Sequence, residues 1–489
     1  MKTIISALLT LILIVAGISL WRAASVYQDV QYRPSAGLSP VVVDEAALVQ
    51  RLSAAIQIPT VSKDDPDEVD PQPFLDFHQF LRNNFPRVHE SAELNRINDY
   101  SLVFKFPGVN PDLKPVLLMG HMDVVSVDEI TAQQWRYAPY SGQVADGMIW
   151  GRGAIDDKST VMALMEAMEL TLVQGQAFER TIYFAFGHDE EVGGKQGAAH
   201  IARYFQEQGV SFEFVLDEGG VILEQGMMPG FEHKVAIIGI AEKGFVNIRL
   251  VVEQAGGHSS QPPENTGPGI LAQAIVNLEA NKFPTDIRFT NMTFDKIGHY
   301  ADFKSRLAMA NQWLLGSVIE NTMLAKPKTA ASIRTTTAVT MLSGSSKSNI
   351  LPTKSTAVVN FRIMPGQTAE GVADYVKQVI DDPRVKLEVF MANNPSPVSK
   401  TDSYGYRLLE QTIRELDDEI LVAPYMVQGG TDSKYFYPLS DAIYRFIMVK
   451  IDDQLLTAIH GIDERIAIDD YVRGVQYFHE IIRKASSGE

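Results

Sequence analysis

The run Gly187-His188-Asp189-Glu190-Glu191-Val192-Gly193-Gly194 sets two adjacent glutamates just after the apolar stretch Thr181 to Phe186. That stretch reads as a buried parallel strand. Neighbouring residues at a strand end point in different directions, so one glutamate can bind a metal while the other faces its water. Metal-assisted hydrolysis needs this arrangement of a ligand beside a free base. An acidic pair alone is more often a solvated loop. This one gains meaning because four other acid or histidine clusters follow strand patterns in the same chain.

Gly120-His121-Met122-Asp123 offers an imidazole and a carboxylate able to accept from its other ring nitrogen, fixing the tautomer. Gly151-Arg152-Gly153-Ala154-Ile155-Asp156-Asp157-Lys158 is not a dinucleotide loop, because Asp156 stands at the third glycine position. Its acids suit a helix cap or a carboxylate shared by two cations. Asp217-Glu218-Gly219-Gly220 follows a wholly apolar strand, and Ile459-His460-Gly461-Ile462-Asp463-Glu464 lies near the C-terminus. His121, Asp156, Glu191, Asp217 and His460 supply two imidazoles and three carboxylates. Two zinc ions sharing one carboxylate need about that set, which leaves Glu190 free.

Alternating helix and strand patterns would carry these clusters. Helices are expected at Asp44 to Ile56, Pro73 to Asn84, Ser159 to Gln174 and Lys195 to Gln208, with strands at Ser101 to Phe106, Val116 to Gly120 and Phe212 to Leu216. This is the pattern of an α/β domain with a mostly parallel sheet and its sites at strand C-termini. A second unit begins near Ala241. Its strands, Phe245 to Gln254, Ser355 to Ile363 and Val385 to Phe390, alternate in polarity, as in a smaller antiparallel sheet with helices on one face. Asn281 to Ile333 reads as an irregular insertion with some helix, covering the active site. The expected division is residues 1–33 as leader and tether, 34–240 and 401–489 as catalytic domain, and 241–400 as an inserted α+β lid.

A net charge of −17 over 489 residues argues against a nucleic-acid partner and against charge-driven binding to an anionic membrane. The chain has no cysteine, so any metal must be held by His, Asp and Glu. Ile4 to Trp21 is uncharged and apolar between Lys2 and Arg22, and no Ala-x-Ala cleavage site follows. About 17 residues is the lower limit for a bilayer span. This favours a membrane anchor with the remainder exported over a cleaved secretory signal. Tyr27 to Pro40 reads as a tether.

The chain resembles the aminoacylase and glutamate-carboxypeptidase-like family of co-catalytic zinc peptidases, in particular its carboxypeptidase S branch. The resemblance rests on Gly-His-Met-Asp-Val-Val, Gly-Arg-Gly-Ala-Ile-Asp-Asp-Lys, Asp-Glu-Glu-Val-Gly-Gly, Leu-Asp-Glu-Gly-Gly, Gly-Gly-His-Ser-Ser and Gly-Gly-Thr-Asp-Ser. It implies a zinc-peptidase fold with lid and two Zn2+ per chain. His121, Asp156, Glu191, Asp217 and His460 would be ligands, with Asp156 bridging and Glu218 an alternative to Asp217. Glu190 would be the general base and Asp123 the orienter of His121. His258 would stabilise the oxyanion, Asn349 and Arg362 would hold the substrate carboxylate, and Gly430 and Thr431 would contact substrate backbone. Ser159 and Ser126 depart from the family's usual Gly and Pro, at positions that are not ligands. The implied reaction releases a C-terminal amino acid from a small peptide or an N-acyl amino acid, by a monomer or homodimer.

Two narrower or different readings compete. One is a hydrolase and synthase of N-fatty-acyl amino acids; the other is a non-catalytic binding module on the same fold, which loss of the base or ligands would mark. A serine hydrolase would need a Gly-x-Ser-x-Gly elbow, and none occurs.

Overall fold

The computed structural model describes residues 2–27 and 40–487. Its larger sheet runs in the order Glu93–Ile97, Ser101–Phe106, Ile182–Gly187, Val116–His121, Phe214–Asp217, Ile443–Arg445, Val235–Glu242, Ile222–Leu223, Lys450–Ile451, and Leu421–Val427 also pairs with Val235–Glu242. The sheet is mixed, with a parallel centre from Ile182–Gly187 across to Ile443–Arg445. Alternate residues of each central strand enter different cores. Leu118, Phe184 and Leu216 pack against the helices Lys158–Val173 and Ile468–Ser486, whereas Leu117, Tyr183 and Val215 pack against Ala198–Glu207. Covering both faces makes these strands continuously apolar rather than alternating.

The smaller sheet has the order Thr336–Ser343, Lys354–Ile363, Gly244–Glu253, Val385–Asn393, every pair antiparallel. Helices Gly267–Ala280 and Ala369–Ile380 cover one face through Ile270, Leu271, Val372 and Val376. Thr266 and Thr368 cap them, each accepting a bond from the backbone N–H three residues on. Met341, Leu342, Val389 and Met391 are exposed on this sheet.

Two expectations need correction. The insertion is not irregular: it forms helices Arg288–Ile297, Phe303–Ala310, Gln312–Leu324 and Pro327–Ile333. It packs on the catalytic sheet through Phe294, Ile297 and Ile319 against Val235, Ile237 and Leu421. Tyr27 is not free tether either. It is buried against Phe294, ring centroids 6.0 Å apart; the rest of the expected tether, up to residue 39, lies outside the described residues.

Candidate metal centre

Three parallel strands end at one level. His121 is in register with Gly187, and Leu118 with both Phe184 and Leu216, so the His121 turn, the Glu190–Glu191 turn and the Asp217–Glu218 turn meet at one edge. The ligand atoms of His121, Asp156 and Glu191 lie within 4.8 Å of one another. Asp156 stands between two imidazoles, with Oδ1 2.9 Å from His121 Nε2 and Oδ2 3.0 Å from His460 Nε2. His460 Nε2 is also 3.0 Å from Glu191 Oε2. These two hydrogen bonds push His460 up to about 10. Burial would raise the Asp156 carboxyl, but the two imidazoles outweigh it and hold it below its ordinary range. One carboxylate with an oxygen turned to each histidine is what a bridging ligand requires, and the imidazole and carboxylate donors suit a divalent cation. The donor set fits.

Asp123 ties the centre together. Its Oδ1 is 3.4 Å from His121 Nδ1, and its two oxygens accept from the backbone N–H groups of Glu190 and Glu191, each at 3.1 Å. One buried carboxylate thus sets the histidine and the start of the acidic turn. Glu190 is surrounded by acids. Burial first, then the charges of Asp432, Glu191 and Asp156, push its carboxyl well above the usual range against the pull of His121.

The acidic residue after His460 has a part that the motif alone did not disclose. Glu464 is fully buried, accepts from the N–H groups of Gly153, Ile155 and Asp156 at 3.1, 2.9 and 3.2 Å, and pairs with Arg152 at 2.5 Å. Arg152 in turn donates to the Gly461 carbonyl at 2.8 Å. The loops bearing Asp156 and His460 are therefore clamped to each other. Lys158, the last residue of that motif, is structural: its buried ammonium donates to the carbonyls of Ala55 and Ile58.

Asp217 and Glu218 part company. Asp217 Oδ2 accepts from Ser433 N at 2.8 Å, on the side of Arg445 and Glu242. Glu218 shares a cavity wall with Asp156, and burial followed by the charges of Asp156, Asp217 and Glu190 pushes it well above its ordinary value. Thr431 is buried, with its N–H and hydroxyl on Glu242 Oε1 at 2.8 and 2.7 Å, whereas Gly429 and Gly430 are exposed. Glu242 also pairs with Arg445 at 3.0 Å. Asp432 sits where side chains on Gly187 and Gly194 would be, 2.4 and 2.0 Å from their ideal Cβ positions.

The lid residues stand apart from this cluster. His258 and Asn349 share a short ribbon, where Gly257–His258 pairs with Ile350–Leu351 and Ser259 N donates to the Asn349 carbonyl at 3.1 Å. His258 is exposed, with Nδ1 2.8 Å from the Ser260 hydroxyl. Arg362 is exposed on its strand, 5.8 Å from the Phe245 ring. Its charge reaches a residue the motifs did not single out: Lys243, at the junction of the two sheets. Burial first, then Arg362 and Arg334, lower that ammonium to about 8.

A buried histidine and carboxylate cluster at the carboxyl edge of an α/β sheet, with an antiparallel lid, defines a metal-dependent amide hydrolase. The chain belongs to Peptidase family M20/M25/M40, whose profile matches residues 117–484. It is 40% identical to probable carboxypeptidase S-like 2 of Dictyostelium discoideum over 457 residues, 91% of this chain and 88% of that protein. It is 37% identical to the human N-fatty-acyl-amino acid synthase/hydrolase over 455 residues, 91% of this chain and 89% of that one. The M20 family metallo-carboxypeptidase of Sulfolobus solfataricus has the same fold, with a TM-score of 0.66 at 18% identity, covering 91% of this chain and all of that one. Human carnosine dipeptidase 1 gives 0.64 at 16%, covering 91% and 96%. The chain is thus a metallopeptidase of the carboxypeptidase S-like kind, and its family implies a divalent metal.

Proposed function

We propose that this chain is a membrane-anchored dinuclear zinc hydrolase that releases an amino acid from N-acyl amino acids with a long apolar acyl group. The observation that carries the acyl preference is a cavity of about 380 Å³ beside the centre. Asp156, Glu218, Lys328, Tyr425 and Gln428 contribute polar groups to its wall, and Val221, Leu223, Ile237, Ile447 and Ile451 are among the aliphatic side chains that line much of the rest. An acyl chain can pack along the aliphatic part of this wall, where a dipeptide's amine would find no partner, at a cost comparable to a lost hydrogen bond or more.

In this reading His121, Asp156, Glu191 and His460 would hold the ions, with Asp156 serving both. The bond from Ser433 to Asp217 supports Glu218 as the remaining ligand and Asp217 as its brace. When bound, the ions polarise the scissile carbonyl and acidify water. Glu190 accepts the proton of the attacking water and returns it to the leaving nitrogen. Asp123 keeps His121 and the Glu190 turn in register. Arg362 holds the substrate's α-carboxylate, and Lys243, buried with its ammonium on the Arg334 carbonyl at 2.6 Å, adds positive charge behind it. Gly430 meets the substrate backbone, while Thr431 braces the loop. His258 reaches the reacting carbonyl on lid closure, and Asn349 joins Arg362 on the substrate carboxylate. Residues 34–240 and 401–489 act as the catalytic unit and 241–400 as the lid.

The helix Lys2–Ser25 is long and apolar enough to cross a membrane. Its 24 residues extend ~36 Å. The docking of its last turn on folded protein supports an anchor over a cleaved signal. The test of the acyl preference is kcat/KM for N-acyl amino acids of increasing chain length on zinc-loaded protein. A steady rise from acetyl to long chains is expected; equal or better turnover of acetyl substrates or dipeptides overturns the acyl preference.

A further inference from the structure

The N-terminal helix does not simply trail from the enzyme. Asn311 Nδ2 donates to the Ser19 carbonyl at 3.0 Å, and Arg22 Nε donates to the Ala310 carbonyl at 2.8 Å. Ser19 and Ala23 are buried, whereas Ile4 to Ile14 are exposed. Only the last turns of the helix are docked, and they are docked on the junction between the insertion helices Phe303–Ala310 and Gln312–Leu324.

This junction fixes a level. The 18 residues from Ile4 to Trp21 rise ~27 Å, about the thickness of a bilayer's hydrocarbon core. Trp21 is exposed at the end of that rise, where an indole suits the boundary between lipid and water. Asn311, bonded beside it, starts the helix Gln312–Leu324 at the same level. The outer face of that helix carries Trp313, Leu314, Ser317, Val318 and Asn321, none of them charged. Trp313, Leu314 and Val318 are 59%, 49% and 57% exposed. Exposed apolar side chains on one face, with an indole among them, are a feature of helices that lie in a membrane interface.

The charge of this region is the reverse of the chain's. Residues 288–333 contain six Lys or Arg and three Asp or Glu, a net of +3 in a protein of net −17. Lys304 lies in the helix before the apolar face, and Lys326 and Lys328 follow it. Basic residues around an apolar face suit an anionic lipid surface.

We propose that the helix Gln312–Leu324 lies in the lipid interface, its Trp313, Leu314 and Val318 face seated among the headgroups, so that the insertion is a second membrane contact beside the anchor. This rests on the reading of Lys2–Ser25 as a membrane span. It also places the apolar cavity near lipid, because Lys328 lies on the cavity's lining and only a few residues beyond the proposed contact. An N-acyl substrate dissolved in the bilayer would then have a short path to the centre.

The absence of cysteine makes the test direct. Val318→Cys in the full chain gives a single thiol for an environment-sensitive fluorophore, and the labelled protein is reconstituted in vesicles containing phosphatidylglycerol. The expected result is a blue-shifted emission, protection from aqueous iodide, and quenching by nitroxide carried near the lipid headgroup. Retention of the protein in the membrane through alkaline washing, together with a probe open to iodide, overturns the second contact while leaving the anchor. Protection from iodide without quenching by lipid nitroxide assigns the face to another copy of the chain and also overturns it. Release by alkali overturns the anchor and the interface together.

Discussion

The two ends of the active site are built in opposite ways. At the sheet edge the groups that fix the geometry are answered: Asp156 by two imidazoles, Asp123 by two N–H groups, Glu464 by three N–H groups and Arg152, while Glu190 and Glu218 stand among other acids. On the lid, His258, Asn349 and Arg362 are exposed, and among the contacts described the His258 side chain is bonded only within its own turn. The metal end is preorganised, so substitutions there strike a fixed geometry. If His258, Asn349 and Arg362 act as proposed, the lid end is brought to the centre by movement or by a partner, and substitutions there strike an assembly step.

The sharpest break of this contrast is at the base. Glu190→Gln should keep its metal and lose roughly 10²–10⁴-fold or more in turnover, the range for a missing general base. Asp156→Ala should instead lose metal, because it removes the group shared by both histidines. Metal analysis beside kinetics separates the two, and near-normal turnover in Glu190→Gln would remove that residue from the mechanism.

On the lid, His258→Ala should lower turnover by roughly 10²–10³-fold, as for one oxyanion donor. Mixing His258→Ala with Glu190→Gln protomers then tells closure from partnership. We expect no recovery, since closure of one chain on itself leaves every site of the mixture defective. The insertion gives no support to that choice: it packs on the catalytic sheet and the N-terminal helix and does not cover the exposed lid residues Met341, Leu342 and Val389. Recovered activity would establish a shared site.

A smaller effect is expected where a residue acts through others. Glu464→Gln touches no reacting atom, yet it leaves Arg152 buried against a neutral amide and loosens the loops of Asp156 and His460. Such supports typically cost 10–100-fold in metal affinity or activity. Added zinc should restore most of the turnover, which distinguishes loosened metal binding from a lost catalytic group. Failure of zinc to rescue a well-folded variant would deny Glu464 this role.

These residues also mark how far the sequence could be read. His121, Glu190 and Glu191 follow apolar strands covered on both faces, so continuous apolar runs revealed both the strands and their ends. The direction of two consecutive acids, Asp217 and Glu218, depends on the Ser433 N–H some 216 positions away, and no local pattern carries that. Glu242, Arg445 and Lys243 were missed for the same reason: their partners come from distant segments. The extent and bounds of the insertion helices escaped because their apolar residues lie on outer as well as inner faces. Leu314 and Val318 are exposed where Ile319 is buried, which erases the single stripe by which a surface helix is recognised.

Lys243 gives the finest test of the lid end. Burial, then Arg362 and Arg334, lower its ammonium from the ordinary lysine value to about 8. It is therefore charged below about pH 8 and neutral above, and its attraction for a substrate carboxylate is present on the acid side and lost as pH rises. For free-acid substrates kcat/KM should fall through that pH, because this ratio reports ionisations of the free enzyme. A bound carboxylate stabilises the ammonium and moves its titration upward, so kcat should hold to higher pH and the loss should appear as a rising KM. Ester or amide analogues lacking the free carboxylate should show no such limb. Lys243→Met should abolish the limb and leave a free-acid preference, since Arg362 stays charged throughout; Arg362→Ala should remove most of that preference at every pH. A limb that survives in Lys243→Met would assign the titration to another group and leave Arg362 to hold the carboxylate without it.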